Sequence, residues 1–194
     1  MNKLILASSS AYRKALLERL QLPFECYSPD IDESPLEAEN GHQQAQRLAL
    51  EKARAVAEKF PEAIVIGSDQ VAELNNSDQQ ATILSKPGDH VQAVKQLSAQ
   101  SGQRVSFHSG LAVICDGQEK SLVDSTEVEF RELSEEQIEN YLRIEKPYDC
   151  AGSFKAESLG ISLFKAVNSN DPSSLIGLPL IALCELLREL DVKV

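Results

Sequence analysis

Two short runs of apolar residues, each ending abruptly in small polar residues, constrain the fold of this chain more than any other feature. Residues 4–7 lead directly into three serines, and residues 63–67 lead into Ser68, Asp69 and Gln70. A short continuous apolar run is typical of a strand that is buried in a sheet. Both runs therefore predict buried strands, and the second run predicts a central one.

Helical patterns alternate with further strand patterns along the chain. Ser10 is a natural N-cap for a helix over residues 11–20, and the apolar stripe of residues 43–59 predicts a long helix. Ser134 begins a capping box for a helix that ends near residue 144. The other predicted elements are strands over residues 24–28, 104–115, 121–131 and 161–167, helices over residues 90–99 and 172–190 (the latter interrupted at Gly177 and Pro179), a hairpin turn at Asp116-Gly117, and a loop or hairpin tip over residues 75–82. The mixture predicts an α/β fold with parallel and antiparallel strand pairing.

Charge and composition exclude several classes of function. The chain has 194 residues, with 30 acidic against 19 basic side chains and a net charge of -11. This balance argues against a nucleic-acid-binding surface, although a local basic pocket could still hold one small phosphorylated substrate. The length allows one domain or two small lobes, and we expect a single domain over residues 1–194.

Several sequence signals are absent. No stretch approaches the roughly 20 apolar residues of a membrane span, and the apolar run at the start is too short for a signal peptide, so we expect a cytoplasmic protein. The four cysteines are far apart and are interpreted as free thiols. The sequence has no nucleophile-elbow, Walker or dinucleotide-binding motif, so serine-triad hydrolysis, Walker-type ATPase chemistry and Rossmann cofactor binding lack support.

Acidic and hydroxyl side chains offer the first candidate site residues. Ser8 and Arg13 flank a predicted helix start, where they could hold a phosphate or serve only as cap and solvent-facing residues. Asp69 is expected at the carboxyl end of a strand, where it could bind a metal, orient a water or occupy a turn. Glu33 lies in an acidic loop that could bind Mg²⁺ or be merely solvated.

Three lysines are further candidates. Lys52 falls inside the apolar stripe of the long helix, a poor place for a solvated ammonium unless the side chain snorkels to the surface. Removing it is therefore expected to stabilise the fold slightly. Lys86 alone is an ordinary loop lysine. Lys155 lies between Phe154 and Glu157 in a small-residue segment that could approach a ligand closely or form a structural loop.

Taken together, these segments resemble the Maf family of nucleoside triphosphate pyrophosphatases, and the resemblance covers nearly the whole chain. The matching motifs are residues 4–10 with Arg13, Asp32-Glu33, Glu51-Lys52-Ala53, Gly67-Ser68-Asp69-Gln70-Val71, Lys86-Pro87 and Ala151-Gly152-Ser153-Phe154. Within the family, the segments that contain Gln70 and Glu157 (residues 67–71 and 150–157) resemble those of the YceF-type branch, whose members hydrolyse 7-methyl-GTP. The branch that hydrolyses dTTP and UTP would be expected to carry Asp-Thr at positions 69–70 and Gln at position 157. Ser85 departs from the Gly that is usual in the family.

The resemblance implies a fold, a reaction and a role for each candidate. The fold would be a Maf/ITPase-like curved mixed β-sheet flanked by helices, with two lobes and a central cleft. The reaction would convert a nucleoside triphosphate to a monophosphate and pyrophosphate, in a house-cleaning role and with Mg²⁺, Mn²⁺ or Co²⁺. The implied roles are proton acceptor for Asp69, metal ligand for Glu33 and Asp69, triphosphate binding for Ser8, Arg13, Lys52, Lys86 and Lys155, and substrate specificity for Tyr12, Gln70 and Glu157.

The methylated base suggests what the specificity residues recognise. N7-methylation gives guanine a delocalised positive charge, which an aromatic face attracts. Tyr12 or Phe154 could supply that face, unless Phe154 belongs to the core, and Glu157 could accept hydrogen bonds from the guanine. Two alternatives stay open: a dTTP/UTP or broad-specificity pyrophosphatase, and a nucleotide-binding regulator of cell division. A homodimer is a further expectation, with no nucleic-acid or membrane partner.

Overall fold

The computed structural model describes residues 3–75 and 81–194; residues 76–80 of the predicted loop at 75–82 lie outside the described ranges. The fold is α/β, as predicted, with a mixed seven-stranded sheet in the order β2-β1-β3-β5-β6-β7 and with β4 beside β3. The strands are β1 (Leu4–Ala7), β2 (Phe24–Cys26), β3 (Ile64–Leu74), β4 (Thr82–Leu84), β5 (Arg104–Cys115), β6 (Gln118–Phe130) and β7 (Phe164–Asn168).

The helices correspond closely to the predicted ones. They are α1 (Ala11–Glu18), α2 (Gly41–Ala57), α3 (His90–Gln100), α4 (Glu135–Glu145) and α5 (Leu180–Glu189). Ser10 caps α1 as predicted, and the capping box of Ser134 and Gln137 begins α4. No helix within the described ranges has the length and apolarity needed to cross a bilayer.

The chain divides into two compact units. The first unit contains residues 1–70, 109–124 and 171–194, and the second contains residues 71–108 and 125–170. Three of the four boundaries fall within β3, β5 and β6, so these strands contribute residues to both units. The expectation of one domain over the whole chain stays a prediction.

Both faces of β1 and of the first part of β3 are buried in the first unit, as the apolar runs predicted. Strand β1 pairs in parallel with β2 and with β3, and Ala7 lies opposite Gly67 at the end of the β1–β3 ladder. Leu4 and Leu6 pack in one cluster with residues of α1 and α5. Ile5 and Ala7 face the other side, in a cluster with α2. Alternation along a strand sends successive side chains to opposite faces, so a fully apolar run requires helices on both.

The antiparallel pairings of β3 with β4 and of β6 with β7 lie in the second unit. Its core includes edge-to-face contacts among Phe107, Phe130, Phe154 and Phe164, whose ring centroids lie 4.9–5.7 Å apart. Phe154 is only 5% exposed. It is therefore a core residue, and of the two aromatic side chains considered for stacking on the base only Tyr12 remains.

Strand β3 differs most from its prediction. It continues to Leu74, so Asp69 lies within the strand rather than after its end. The polar residues Ser68, Asp69 and Gln70 do not terminate the strand because their side chains find partners in the interior. The shorter strand β1 ends opposite Gly67, however, so Asp69 still lies just beyond the carboxyl end of a parallel strand.

Near the C-terminus, one strand boundary shifts and one predicted helix interruption is present. Strand β7 begins at Phe164 rather than at residue 161, because Leu159–Leu163 forms a 3₁₀ turn. The predicted interruption of the last helix is confirmed. A 3₁₀ turn at Ser174–Ile176 ends at Gly177, whose φ of 118° lies in the left-handed region that favours glycine, and α5 begins after Pro179.

Candidate active site

Helix α2 lies unusually close to the sheet, and two glycines make this possible. A Cβ on Gly67 would lie 2.2 Å from the Ala49 carbonyl oxygen, and a Cβ on Gly110 would lie 2.1 Å from that of Ala45. Side chains of ordinary size on these strands would push the helix away. The small residues on both sides therefore fix α2 against β3 and β5 and determine where Lys52 lies.

Lys52 joins two carboxylates from different segments of the chain. Its Nζ lies 2.6 Å from Asp69 Oδ1 and 2.7 Å from Glu33 Oε1. Lys52 is 6% exposed and Asp69 is 8% exposed, whereas the Glu33 side chain is 55% exposed. The Lys52 ammonium therefore does not extend to the surface. It forms ion pairs with the buried Asp69 and with the exposed Glu33 while it stays at the apolar face of α2.

Arg13 provides a second cation beside Asp69. Its Nη2 lies 3.8 Å from Asp69 Oδ1, and its Nε donates a 2.9 Å hydrogen bond to the carbonyl of Gly177. Its Nη1 lies 3.5 Å from the hydroxyl of Ser8. The Arg13 side chain is 14% exposed, so the alternative of a solvent-facing arginine is wrong.

The serines that follow β1, residues 8–10, have two roles: one caps α1 and another contacts Arg13. Ser10 caps α1, and the Ser8 hydroxyl accepts a 3.1 Å hydrogen bond from the Ser10 amide. Ser8 is 5% exposed. Tyr12 is half-buried in the first turn of α1. The structure brings Ser8, Arg13, Lys52, Asp69 and Glu33 together in the first unit. Their assignment to one catalytic site stays a prediction.

A loop over residues 171–179 holds β3 from both sides of Asp69. The Ser68 hydroxyl lies 2.8 Å from the Gly110 carbonyl oxygen and 2.9 Å from that of Gly177. The Gln70 amide nitrogen donates to the carbonyls of Ser174 (2.9 Å) and Leu175 (3.0 Å). Asp69 is therefore flanked by two side chains that are tied to the same loop.

Asp171 in turn fixes this loop. Its buried carboxylate accepts hydrogen bonds from the Ser173 amide (2.8 Å) and the Ile181 amide (2.7 Å). The Ser173 hydroxyl accepts from the Leu180 amide at 2.9 Å. Together they satisfy amides in the first turn of α5, which lacks a side-chain cap at Pro179. Sequence reasoning missed Asp171 and Ser173, because a cap supplied from several residues upstream leaves no local pattern.

The remaining candidates lie in the second unit. Lys86 is exposed, between β4 and α3. The Nζ of Lys155 donates a 3.1 Å hydrogen bond to the Glu145 carbonyl at the end of α4, and its backbone amide donates to the Tyr141 hydroxyl at 3.0 Å. Burial raises the pKa of Tyr141, which keeps this hydroxyl protonated at neutral pH. Glu157 is exposed.

The side chains around Lys52 include possible ligands for a divalent metal. Within residues 3–75 and 81–194, no group of three or more His, Cys, Asp or Glu side chains is arranged to hold one. Glu33 and Asp69 nevertheless converge on a single cationic group, Lys52. Mg²⁺ is commonly bound through one or two carboxylates together with substrate phosphates, so two converging carboxylates fit such an ion.

The fold and this cluster define an α/β protein with a buried carboxylate held between two cations. Comparison with known proteins identifies the class further: the Maf-like protein family model matches residues 3–190. The chain belongs to the Maf family, which confirms the resemblance stated from the motifs.

Curated relatives match over nearly the full length. The chain is 52% identical to the 7-methyl-GTP pyrophosphatase of Polaromonas sp. strain JS666, covering 95% of this chain and 83% of that protein. It is 54% identical to the 7-methyl-GTP pyrophosphatase of Xanthomonas oryzae pv. oryzae strain MAFF 311018, covering 97% of each. It is 52% identical to that of Pseudomonas savastanoi pv. phaseolicola strain 1448A, covering 100% of both.

Among solved structures, a HAM1 protein from Coxiella burnetii aligns with 67% of this chain and 73% of its own, at 20% identity and a TM-score of 0.45. This partial similarity adds no evidence on substrate.

Proposed function

We propose that this protein hydrolyses nucleoside triphosphates to monophosphates and pyrophosphate, with 7-methyl-GTP as its preferred substrate. The observation that carries the proposal is the buried Asp69 carboxylate, with Lys52 at 2.6 Å and Arg13 at 3.8 Å beside it. Family membership and the names of relatives at 50–54% identity support the same reaction and base.

Asp69 is proposed to accept a proton from the attacking water. The oxygen of that water bonds to the α-phosphorus, and the bond from the α-phosphorus to the oxygen that bridges to the β-phosphorus breaks. The proton passes to the carboxylate, and pyrophosphate leaves. The closest contacts of Lys52 and Arg13 are with Oδ1, so Oδ2 is the atom that we assign to the proton. A positioned general base contributes about 10²–10⁴-fold to such a rate.

Local positive charge is needed because the protein as a whole is acidic. A triphosphate carries about four negative charges, and a protein with a net charge of -11 repels it unless cations gather at the site. Lys52 and Arg13 supply two such cations, which the Glu33 and Asp69 carboxylates offset, so a bound divalent metal would supply the excess positive charge. The Ser8 hydroxyl can donate to a phosphate oxygen. The assignment of Lys86 and Lys155 to triphosphate binding stays a prediction.

A divalent metal would be held by Glu33 and Asp69. Mg²⁺, Mn²⁺ or Co²⁺ bound there would neutralise charge on the phosphates and on the leaving pyrophosphate. The chain's own contribution is to bring two carboxylates to one point, with Lys52 between them as their internal counter-charge.

Base preference is assigned to Tyr12, Gln70 and Glu157. The side-chain amide nitrogen of Gln70 already donates hydrogen bonds to backbone carbonyls of the 171–179 loop. The group that Gln70 can offer to a ligand is therefore its side-chain carbonyl oxygen, which is an acceptor. Glu157 is also an acceptor and carries a negative charge. A carboxylate acceptor suits the donor groups of a guanine, and the charge of Glu157 favours the cationic, methylated form. A cytoplasmic location and a homodimer stay predictions.

A pyrophosphate-release screen tests this proposal. The purified protein is assayed with 7-methyl-GTP, GTP, ATP, CTP, UTP and dTTP, each with Mg²⁺, Mn²⁺ or Co²⁺. The highest kcat/KM is expected for 7-methyl-GTP. A preference for dTTP or UTP would contradict the assigned base. Tight nucleotide binding without pyrophosphate release would favour the regulator instead.

A further inference from the structure

The acidic segment that carries Glu33 has almost no regular structure of its own. Residues 27–40 between β2 and α2 form neither helix nor strand. Within it, Glu33 is the residue that contacts Lys52, with 2.7 Å between Oε1 and Nζ. An irregular segment with an exposed carboxylate needs anchoring from elsewhere if that carboxylate is to keep one position.

Arg47 of α2 supplies that anchoring. Its guanidinium makes a bidentate pair with Glu39, with Nε 2.7 Å from Oε1 and Nη2 2.8 Å from Oε2. Nη2 also donates a 3.1 Å hydrogen bond to the Ser34 carbonyl, and Nη1 donates to Glu51 at 3.1 Å. The Arg47 side chain is 18% exposed and that of Glu39 is 8% exposed, so the fork is largely shielded from water.

These contacts fix the backbone on both sides of Glu33. The Ser34 amide donates a 2.9 Å hydrogen bond to Asp32 Oδ1, while the Ser34 carbonyl accepts from Arg47. Further along, the Leu36 amide donates to Glu39 Oε2 at 3.1 Å. The turn that holds Glu33 is thus closed by Asp32 and tied to α2 by one arginine, five residues before Lys52 in the same helix.

The charged states of the pair agree with a persistent contact. The hydrogen bond from Arg47 lowers the pKa of Glu39, and the bond to Glu39 raises the pKa of Arg47. Both groups are therefore ionised at neutral pH, where a bidentate guanidinium–carboxylate pair gives geometric specificity as well as energy.

We propose that Arg47 is a positioning residue for Glu33: by holding Glu39 and the Ser34 carbonyl, it places the Glu33 carboxylate beside Asp69 as the second ligand of a divalent cation. This inference rests on the proposed function for the role of the cation. It predicts that Arg47 controls metal binding and the order of the acidic segment without touching substrate.

The test compares Arg47→Met with Arg54→Met. Arg54 lies two turns further along α2 and makes its own bidentate pair with Glu119, at 2.7 and 2.6 Å. Arg54→Met therefore removes a paired guanidinium that does not contact the acidic segment. Mn²⁺ binding to the protein without nucleotide is measured by calorimetry. Loss of a group that orients a metal ligand costs about 10–100-fold in metal affinity, and we expect this loss for Arg47→Met. Arg54→Met should stay within about twofold of wild type.

A second measurement needs neither metal nor activity. Hydrogen exchange of the Ser34 and Leu36 amides should accelerate in Arg47→Met and not in Arg54→Met. Kinetically, Arg47→Met should raise the half-saturating Mn²⁺ concentration while the KM for 7-methyl-GTP at saturating Mn²⁺ stays close to that of wild type. In a Glu33→Gln background, Arg47→Met should cause no further loss.

The inference would be overturned if Arg47→Met bound Mn²⁺ as tightly as wild type does. It would also be overturned if Arg47→Met lowered the Mn²⁺ affinity of the Glu33→Gln variant as much as it lowers that of wild type. If Arg47→Met does not fold, Arg47→Lys, which keeps the charge but not the fork, should show a smaller loss of the same kind; unaltered Mn²⁺ affinity and exchange in Arg47→Lys would also overturn it. A wild-type protein that binds Mn²⁺ but releases no pyrophosphate would refute the proposed function, and the binding and exchange data would still decide the role of Arg47.

Discussion

Lys52 shows how a single residue takes its role from its partners. From the sequence alone, its removal from an apolar stripe is expected to stabilise the fold slightly. The structure reverses that expectation, because Lys52 is the nearest counter-charge of the buried Asp69. Breaking a buried pair by removing one partner typically costs about 3–5 kcal/mol.

We therefore predict that Lys52→Ala lowers the free energy of unfolding by about that amount and also weakens triphosphate binding. Urea denaturation and nucleotide titration measure the two effects. The double variant Lys52→Ala/Asp69→Asn should recover part of the lost stability, since the unpaired carboxylate is gone. A Lys52→Ala protein as stable as wild type would contradict the account of this pair.

Glu157 is the residue assigned to base preference by its charge. Glu157→Gln replaces an acceptor-only carboxylate with an amide that both donates and accepts, which suits uracil or thymine better than a cationic guanine. Charge-assisted hydrogen bonds are worth about 1.5–3 kcal/mol, so the ratio of kcat/KM for 7-methyl-GTP over UTP should fall by about tenfold or more. An unchanged ratio would remove Glu157 from base recognition.

Among the elements, α2 has the largest influence on the site, through its close approach to the sheet. Gly67→Ala should destabilise the protein by about 1–3 kcal/mol or more and reduce turnover, because a displaced α2 moves Lys52 away from Asp69. Gly117→Ala is the matched control. It adds a methyl group into open space in the β5–β6 turn at a φ of +75°, so it should lose stability but keep turnover. Equal turnover in the two variants would contradict the link between helix approach and catalysis.

Local patterns predicted most elements correctly. The apolar run before Gly67, the Ser134 capping box and the Asp116-Gly117 turn each depend on neighbouring residues, and each appears where predicted. The predicted end of β3 was wrong, because the prediction took the polar residues after Gly67 as the end of the strand, as they usually are. Here Ser68 and Gln70 continue it, since a loop over a hundred residues away in sequence supplies their partners.

The site was predictable only in part for a similar reason. The residue types of Asp69, Lys52 and Arg13 indicated charge chemistry, but their distances depend on tertiary packing. Residue types could not predict the role of the backbone carbonyls of Ser174, Leu175 and Gly177, since every residue has a backbone carbonyl. Arg47 left one detectable signal, its spacing of four residues from Glu51 on a helix, although its main partner is Glu39.

At the scale of the whole molecule, paired carboxylates determine how stability depends on pH. Hydrogen bonds from Arg47 and from Arg54 lower the pKa values of Glu39 and Glu119 below the ordinary value of 4.5. A carboxylate with a lowered folded-state pKa contributes stability that is fully present above the unfolded-state value and is lost as pH falls through the folded-state value.

Glu39→Gln should therefore be less stable than wild type near neutral pH, and the difference should shrink as the pH falls below 4.5 and disappear below the folded-state pKa of Glu39. The measurement is the free energy of unfolding in urea across this range. A difference that stays constant down to the lowest pH would mean that the Arg47–Glu39 pair does not contribute through its charge.

The central claim is that Asp69 directs water to the α-phosphorus of a nucleoside triphosphate. The most direct test is turnover of 7-methyl-GTP in ¹⁸O-labelled water by wild type and by Asp69→Asn. The account predicts that wild type forms 7-methyl-GMP and pyrophosphate in equal amounts with the label in 7-methyl-GMP, and that Asp69→Asn binds the nucleotide but turns it over about 10²–10⁴-fold more slowly. Label in the pyrophosphate, release of inorganic phosphate, or near-wild-type turnover by Asp69→Asn would contradict it.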